Sequence, residues 1–150
     1  MYNMDVKRNK EPKPTSKELN SEELSNAKFE RKKTQLEEAV LKMNELQNAL
    51  DSSSIVSITN ARGMLTYVND KFCEISSYSR LELYGQSHSI LSSGFHSKSF
   101  WSEMWQTIIT GKIWNSEVKN KTKNNLVFWV NMTIVPYLNE SGKPYKYIAI

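Results

Sequence analysis

Residues 113–150, IWNSEVKNKTKNNLVFWVNMTIVPYLNESGKPYKYIAI, decide the fold. Three runs rich in β-branched and aromatic residues, Ile113–Lys121, Leu126–Leu138 and Tyr145–Ile150, are separated by Thr122-Lys123-Asn124-Asn125 and Asn139-Glu140-Ser141-Gly142. Four-residue polar breaks with Asn and Gly suit tight turns, so the pattern predicts an antiparallel meander. Side chains alternate across a strand. In the middle run, Leu126, Phe128, Val130, Met132 and Ile134 share one face, and Val127, Trp129, Asn131, Thr133 and Val135 share the other. Both faces are partly apolar, so helices are expected on one and a further cover on the other. In the run before it, Trp114, Ser116, Val118 and Asn120 fall on one side, which predicts that Asn120 points inward.

Working upstream, Ser97–Thr110 places Trp101, Met104, Trp105 and Ile108 on one helical stripe and ends at Gly111. Asn69–Ser76 and Ser79–Tyr84 read as short helices, the second opened by a Ser79/Glu82 capping box. Ser54–Thr59 and Met64–Val68 flank Asn60-Ala61-Arg62-Gly63, a hairpin signature. The predicted order is two strands, three helices and three strands, an α+β fold with one five-stranded antiparallel sheet.

Further upstream the composition changes. Of 16 aromatic residues only Tyr2 and Phe29 precede residue 55, and all five glycines lie between Gly63 and Gly142. The globular domain is therefore expected at 52–150. Residues 1–14, with Pro12 and Pro14 among charges, read as a disordered tail. Residues 15–51 contain no Pro or Gly and carry possible capping boxes at Thr15/Glu18 and Asn20/Glu23, so a long amphipathic helix is expected there. Phe29, Leu36, Met43 and Leu50 recur every seven residues, with Lys32, Ala39 and Leu46 at the intervening position. This heptad seam is continuous from Leu36 to Leu50. It fits either a helix packed on its own domain or a short parallel coiled coil joining two chains.

Charge and motif content exclude several functions. Residues 1–50 hold 10 basic against 9 acidic side chains and residues 51–150 hold 10 against 7, so neither part forms a basic stripe for nucleic acid. A mean hydropathy of −0.58 and the lack of a long apolar run argue against a membrane span or signal peptide, and a cytoplasmic location is expected. Cys73 is the only cysteine, so neither an internal disulfide nor a cysteine-clustered metal site can form. No phosphate loop, G-x-S-x-G elbow or H-E-x-x-H motif is present, so no enzyme class is indicated.

Together, SIVSITNARGMLTYVNDKFCEISSYSRLELYGQSHSILSSGFH (54–96), FWSEMWQTIITGKIWNSEVKNKTKNN (100–125) and FWVNMTIVPYLNESGKPYKYIAI (128–150) resemble the PAS domain with its C-terminal PAC motif, as found in bacterial signalling proteins. Within that family the chain is most similar to the flavin-binding PAS domains of aerotaxis receptors and of the nitrogen-fixation redox sensor. The resemblance implies a sensory module that binds FAD, with FMN or no ligand as alternatives, and senses redox state or oxygen. It further implies a homodimer that relays the signal through its flanking helix to an effector such as a histidine kinase, a diguanylate cyclase or a chemoreceptor signalling domain. The rival reading is a ligand-free module for dimerisation and protein interaction.

A flavin ring needs apolar walls and an amide-like partner at its pyrimidine edge. Trp105, Trp114 and Asn120 meet that need, and in the resembled flavoproteins the matching tryptophan and asparagine contact the flavin. Positions matching Asn69 and His88 also affect binding there. Each has a plainer reading: Trp105 as core, Trp114 as a plug in the pocket, Asn120 as partner of a backbone group, Asn69 as a helix cap, and His88 and His96 as solvated loop histidines. The family's Asn-Arg-Arg-Lys-Asp-Gly run is replaced by Asn120-Lys121-Thr122-Lys123-Asn124-Asn125, two arginines and a turn glycine short. Cys73, in FCEIS, lacks the sequence context of the light-sensing flavin domains and reads as a small buried side chain.

Overall fold

The computed structural model describes residues 16–150, with side chains from Asn20 onward; the tail expected at 1–14 and the cap expected at Thr15 lie outside the described residues. One helix, α1, spans Ser16–Ser53. Asn20 therefore lies inside it and caps nothing. The helix continues past Leu50 because the Ser54 N–H still reaches the Leu50 carbonyl at 2.8 Å. The Ser52 and Ser53 hydroxyls also bond back to the Asn48 and Leu50 carbonyls.

This extension shortens the first strand. Val56 donates its N–H to the Asn69 side chain instead of a neighbouring strand, so β1 runs only over Ser57–Asn60 and pairs with β2, Leu65–Val68. The turn between them is organised by Asn60, whose Oδ1 accepts from the Arg62 and Met64 N–H groups, and by Gly63 at φ +77°. Helices α2 (Asp70–Ser76) and α3 (Arg80–Leu83) follow. The Ser79/Glu82 capping box is fully formed. Glu82 also bonds Lys123, and that ion pair together with the bonds from Ser79 holds its carboxyl at about 2.

A 3₁₀ turn at His88–Leu91, not anticipated in the sequence, precedes α4 (Lys98–Ile109). The meander then forms as expected, with β3 at Trp114–Lys121, β4 at Val127–Leu138 and β5 at Pro144–Ala149. Its first turn closes without glycine because Asn125 takes the left-handed conformation at φ +63°, and the Thr122 hydroxyl oxygen accepts from the Asn124 and Leu126 N–H groups.

All strand pairs are antiparallel, in the order β2-β1-β5-β4-β3. The inner face carries Ser57 and Thr59 of β1, Trp114, Val118 and Asn120 of β3, Ile134 of β4 and Tyr147 of β5, all buried. The apolar interior forms two clusters. Met104 and Ile108 of α4 pack on Trp114, Val118, Ile134 and Tyr147, while Leu65, Val68, Phe72, Leu83 and Leu91 form the second. On the opposite face Val127 and Trp129 remain exposed, although a further cover is expected there from the sequence.

Candidate functional site

A cavity of about 320 Å³ lies between α4, the 3₁₀ turn and the inner face of the sheet. It falls within the range of roughly 300–1,000 Å³ usual for small-molecule sites. Met104 and Ile108 supply one wall, and Met132, Ile134 and Tyr147 supply the other. A second lobe of about 460 Å³ opens toward Ser53–Ile55 at the end of α1 and Ile150 at the end of the sheet. The lobes share Ser57, His88, Asn120, Met132 and Ala149, so a polar waist separates two largely apolar chambers.

Asn120 sits at that waist. It is 5% exposed, pairs with Phe128 through the β3–β4 ladder, and its carboxamide makes no hydrogen bond to protein among the described residues. Among the described residues no side-chain nitrogen or oxygen is fully buried without a partner, so the Asn120 carboxamide opens onto the cavity and is available to a molecule there. Its expected inward orientation is what the register produces.

His88 reaches the waist from the 3₁₀ turn. Its Nε2 lies 3.1 Å from the Ser57 hydroxyl, and its ring meets Phe72 edge-on. It is thus not a solvated loop histidine: the 3₁₀ turn carries the ring inward. Burial disfavours the imidazolium form and pushes the pKa of His88 below 6.5. The unfolded chain therefore takes up this proton first. The stabilisation from neutral His88 is complete above about pH 6.5 and is lost as pH falls through the lower native pKa. Melting temperature is expected to decline from pH 6.5 toward 5, and His88→Gln is expected to flatten that slope. Glu82 contributes separately, between 4.5 and about 2. An unchanged slope in the variant would overturn the assignment.

The two tryptophans have different places. Trp105 lines the cavity at its rim, 37% exposed, edge-on to Tyr147 with ring centroids 5.8 Å apart. Its ring covers Gly63 so closely that a Cβ there would lie 3.0 Å away, which fixes the hairpin turn beneath it. Trp114 is buried in the core cluster, edge-on to Phe100, and does not line either lobe. Asn69 is also outside the lining. Its Oδ1 caps α2 at Phe72 and accepts from Val56, while its Nδ2 donates to the Ser54 and Asp51 carbonyls. Asn69 thus ties the end of α1 to the start of the sheet.

His96, like His88, is only partly exposed. It stacks on Phe100 with ring centroids 4.1 Å apart, and its Nε2 accepts the Lys119 N–H at 2.9 Å. The Ser93 hydroxyl donates to the Lys119 carbonyl. Both backbone groups of one residue on the exposed side of edge strand β3 are thereby satisfied, which blocks pairing with another chain at that point. Cys73 packs against the second apolar cluster, and burial raises its thiol pKa, consistent with a structural side chain.

A family model described as a PAS domain matches residues 52–150. The chain belongs to the PAS domain family. The domain is 34% identical over 100 residues to the aerotaxis receptor of Escherichia coli (strain K12), a match spanning 67% of this chain and 20% of the receptor. It is 31% identical over 99 residues to the nitrogen fixation regulatory protein of Klebsiella pneumoniae, spanning 66% and 20%. The matched part is thus about a fifth of the length of these relatives. An RNA-binding light-oxygen-voltage receptor shares the fold at a TM-score of 0.64 and 21% identity, over 74% of this chain and 32% of that one. The PAS fold, with its five-stranded antiparallel sheet and long N-terminal helix, is the architecture described above. Among the described residues no helix is long and apolar enough to cross a membrane, and no cluster of metal-ligating side chains occurs.

Ser57, Thr59 and Tyr147 are lining residues that the sequence reading did not single out. Their signal is parity: Ser57 and Thr59 flank the outward Ile58, and Tyr147 faces Thr59 across the β1–β5 pair.

Proposed function

We propose that this PAS domain is a sensory module that holds a flavin ring under α4 and relays its redox state through α1, as a homodimer, to an effector beyond the residues seen here. The observation that carries this reading is the Asn120 carboxamide, which lines the cavity between α4 and the sheet without a hydrogen bond to protein among the described residues. Its acceptor and two donors suit the alternating edge of a pyrimidine ring. Trp105, Met104 and Met132 would supply the walls, and His88, neutral and bonded to Ser57, would stand at the inner end.

A bound flavin supplies a ring nitrogen that changes from hydrogen-bond acceptor to donor on reduction. Asn120 and the Ser57–His88 pair are the polar groups of this chain able to respond at the waist. Ser57 follows Val56, whose N–H is held by Asn69, and Asn69 holds Asp51 and Ser54 of the α1 exit. A rearrangement at Ser57 would therefore reach α1 through one side chain. A coupling of about 1–3 kcal/mol is enough for regulation. The relatives, which include an aerotaxis receptor and a hybrid signal transduction histidine kinase, support an effector such as a chemoreceptor signalling domain or a histidine kinase, with a diguanylate cyclase as a further alternative.

The rival, a ligand-free interaction module, calls for side chains that fill the space between α4 and the sheet. The placement of Trp114 beside the cavity, within the core cluster, favours the ligand-binding reading. Gently purified protein is expected to show flavin absorption bands or to acquire them on reconstitution. Asn120→Ala is expected to weaken flavin binding by about 1–3 kcal/mol, roughly tenfold to a hundredfold. Protein that stays colourless with added FAD or FMN and shows no thermal shift would overturn the reading.

A further inference from the structure

Among the described residues, no Lys, Arg, Asp or Glu lines either lobe of the cavity. The polar lining side chains are neutral: hydroxyls, the His88 imidazole, the Asn120 carboxamide and, in the second lobe, the Asn131 carboxamide. Hydroxyls and backbone N–H groups can cradle a phosphate, but near the mouth the Ser89 N–H, the Ser89 hydroxyl and the Gly94 N–H are already donated to neighbouring serines, which leaves only neutral single O–H donors on Ser87 and Ser92. The Ser87 Oγ accepts from the Ser89 N–H and from the Ser89 hydroxyl, and the Ser92 Oγ accepts from the Gly94 N–H. Arg62, next to the lining residue Gly63, is exposed to solvent, and three other cations are engaged away from the lining. Lys119 lies over the Phe95 and Trp129 rings, Lys123 is paired with Glu82, and Arg80 is paired with Asp70. A phosphate drawn into such a site would lose its hydration without gaining a counter-charge. The mouth offers an alternative, because Ser87, Ser89 and Trp105 are exposed and a chain attached to a buried ring can leave there into water.

We propose that the cavity recognises an uncharged, flat heteroaromatic ring and reads no phosphate, so that riboflavin, FMN and FAD are held by the same contacts. This inference rests on the ring-binding reading above and narrows it. A single charge-assisted contact to a phosphate would favour FMN or FAD over riboflavin by roughly 10- to 100-fold. Here that preference is absent, and exposed charges contribute only a screened background.

The test is a titration of the 150-residue chain with riboflavin, FMN and FAD, followed by flavin fluorescence at about 50 mM and about 500 mM salt. The three dissociation constants are expected to agree within about threefold at either salt. Millimolar ADP should not displace riboflavin, and Asn120→Ala should weaken all three ligands by the same factor. FAD or FMN binding more than about 30-fold tighter than riboflavin, or displacement by ADP, overturns the inference and leaves the ring-binding reading standing. A folded chain that binds none of the three overturns the ring-binding reading itself.

Discussion

Asn69→Ala is expected to destabilise the domain by about 3 kcal/mol, through loss of an N-cap and exposure of several buried backbone groups without partners. Asn69 is 1% exposed. Its Oδ1 receives the Phe72 and Val56 N–H groups, each at 3.0 Å. Its Nδ2 donates to the Ser54 carbonyl at 2.7 Å and more weakly to the Asp51 carbonyl at 3.4 Å. Alanine removes all of these at once. In a domain of this size the loss corresponds to a fall in melting temperature of roughly 10–20 °C. Asn69→Asp separates the two halves of the clamp: it retains the acceptor for Phe72 and Val56 but sets a carboxylate against the Ser54 carbonyl. Asn120→Ala is the control. Its carboxamide has no protein partner, so melting should shift by no more than about 2–4 °C. Denaturant and thermal unfolding measure both, and an Asn69→Ala midpoint within a few degrees of the wild type would show that the clamp does not hold α1 to the sheet.

The contrast between Asn69 and Asn120 marks how far the sequence can be read. Parity along β3 places Asn120 inward, and the Asn69–Asp70 junction shows a helix cap, because both depend on neighbours in the chain. The remaining bonds of Asn69 join residues 13 to 18 positions apart, beyond any local pattern. The Ser57–His88 contact spans 31 positions, and His96 reaches Lys119 across 23. A loop histidine is usually solvated, and only the 3₁₀ turn and the edge of β3 show why these two are not. The tryptophans divide in the same way. Trp105 and Trp114 both suit a cavity wall by composition, yet the register that pairs Trp114 with Ile134 buries it beneath α4 in the core. The capping box and the five strands were legible because each is encoded in a few adjacent residues. Helix α1 was longer than its last heptad position because the serines after Leu50 prolong it with side-chain bonds to the preceding turn.

Met43→Glu combined with Leu50→Glu is expected to convert the chain from a dimer to a monomer. Leu36, Met43, Leu46 and Leu50 of α1 are 66%, 71%, 61% and 45% exposed, a row of large apolar side chains open to solvent. Leu36, Met43 and Leu50 recur every seven residues with Leu46 at the intervening position, the spacing of a helix meeting a second copy of itself, which argues for a homodimer as the cover. The seam from Leu36 to Leu50 is only about two heptads, or roughly 20 Å of helix, so the wild-type association should be weak and depend on concentration. Sedimentation is expected to give a mass approaching twice 17.4 kDa at high micromolar protein. In a paired helix the double substitution would place four carboxylates at the seam, and burying them unpaired should weaken association by at least about 100-fold. The same substitutions lie on exposed positions of α1, so the melting temperature of the PAS domain should hardly move. A wild-type chain that sediments at 17.4 kDa throughout that range would rule out the seam as a dimer contact, and the relay proposed through α1 would then need a different partner for the same four side chains.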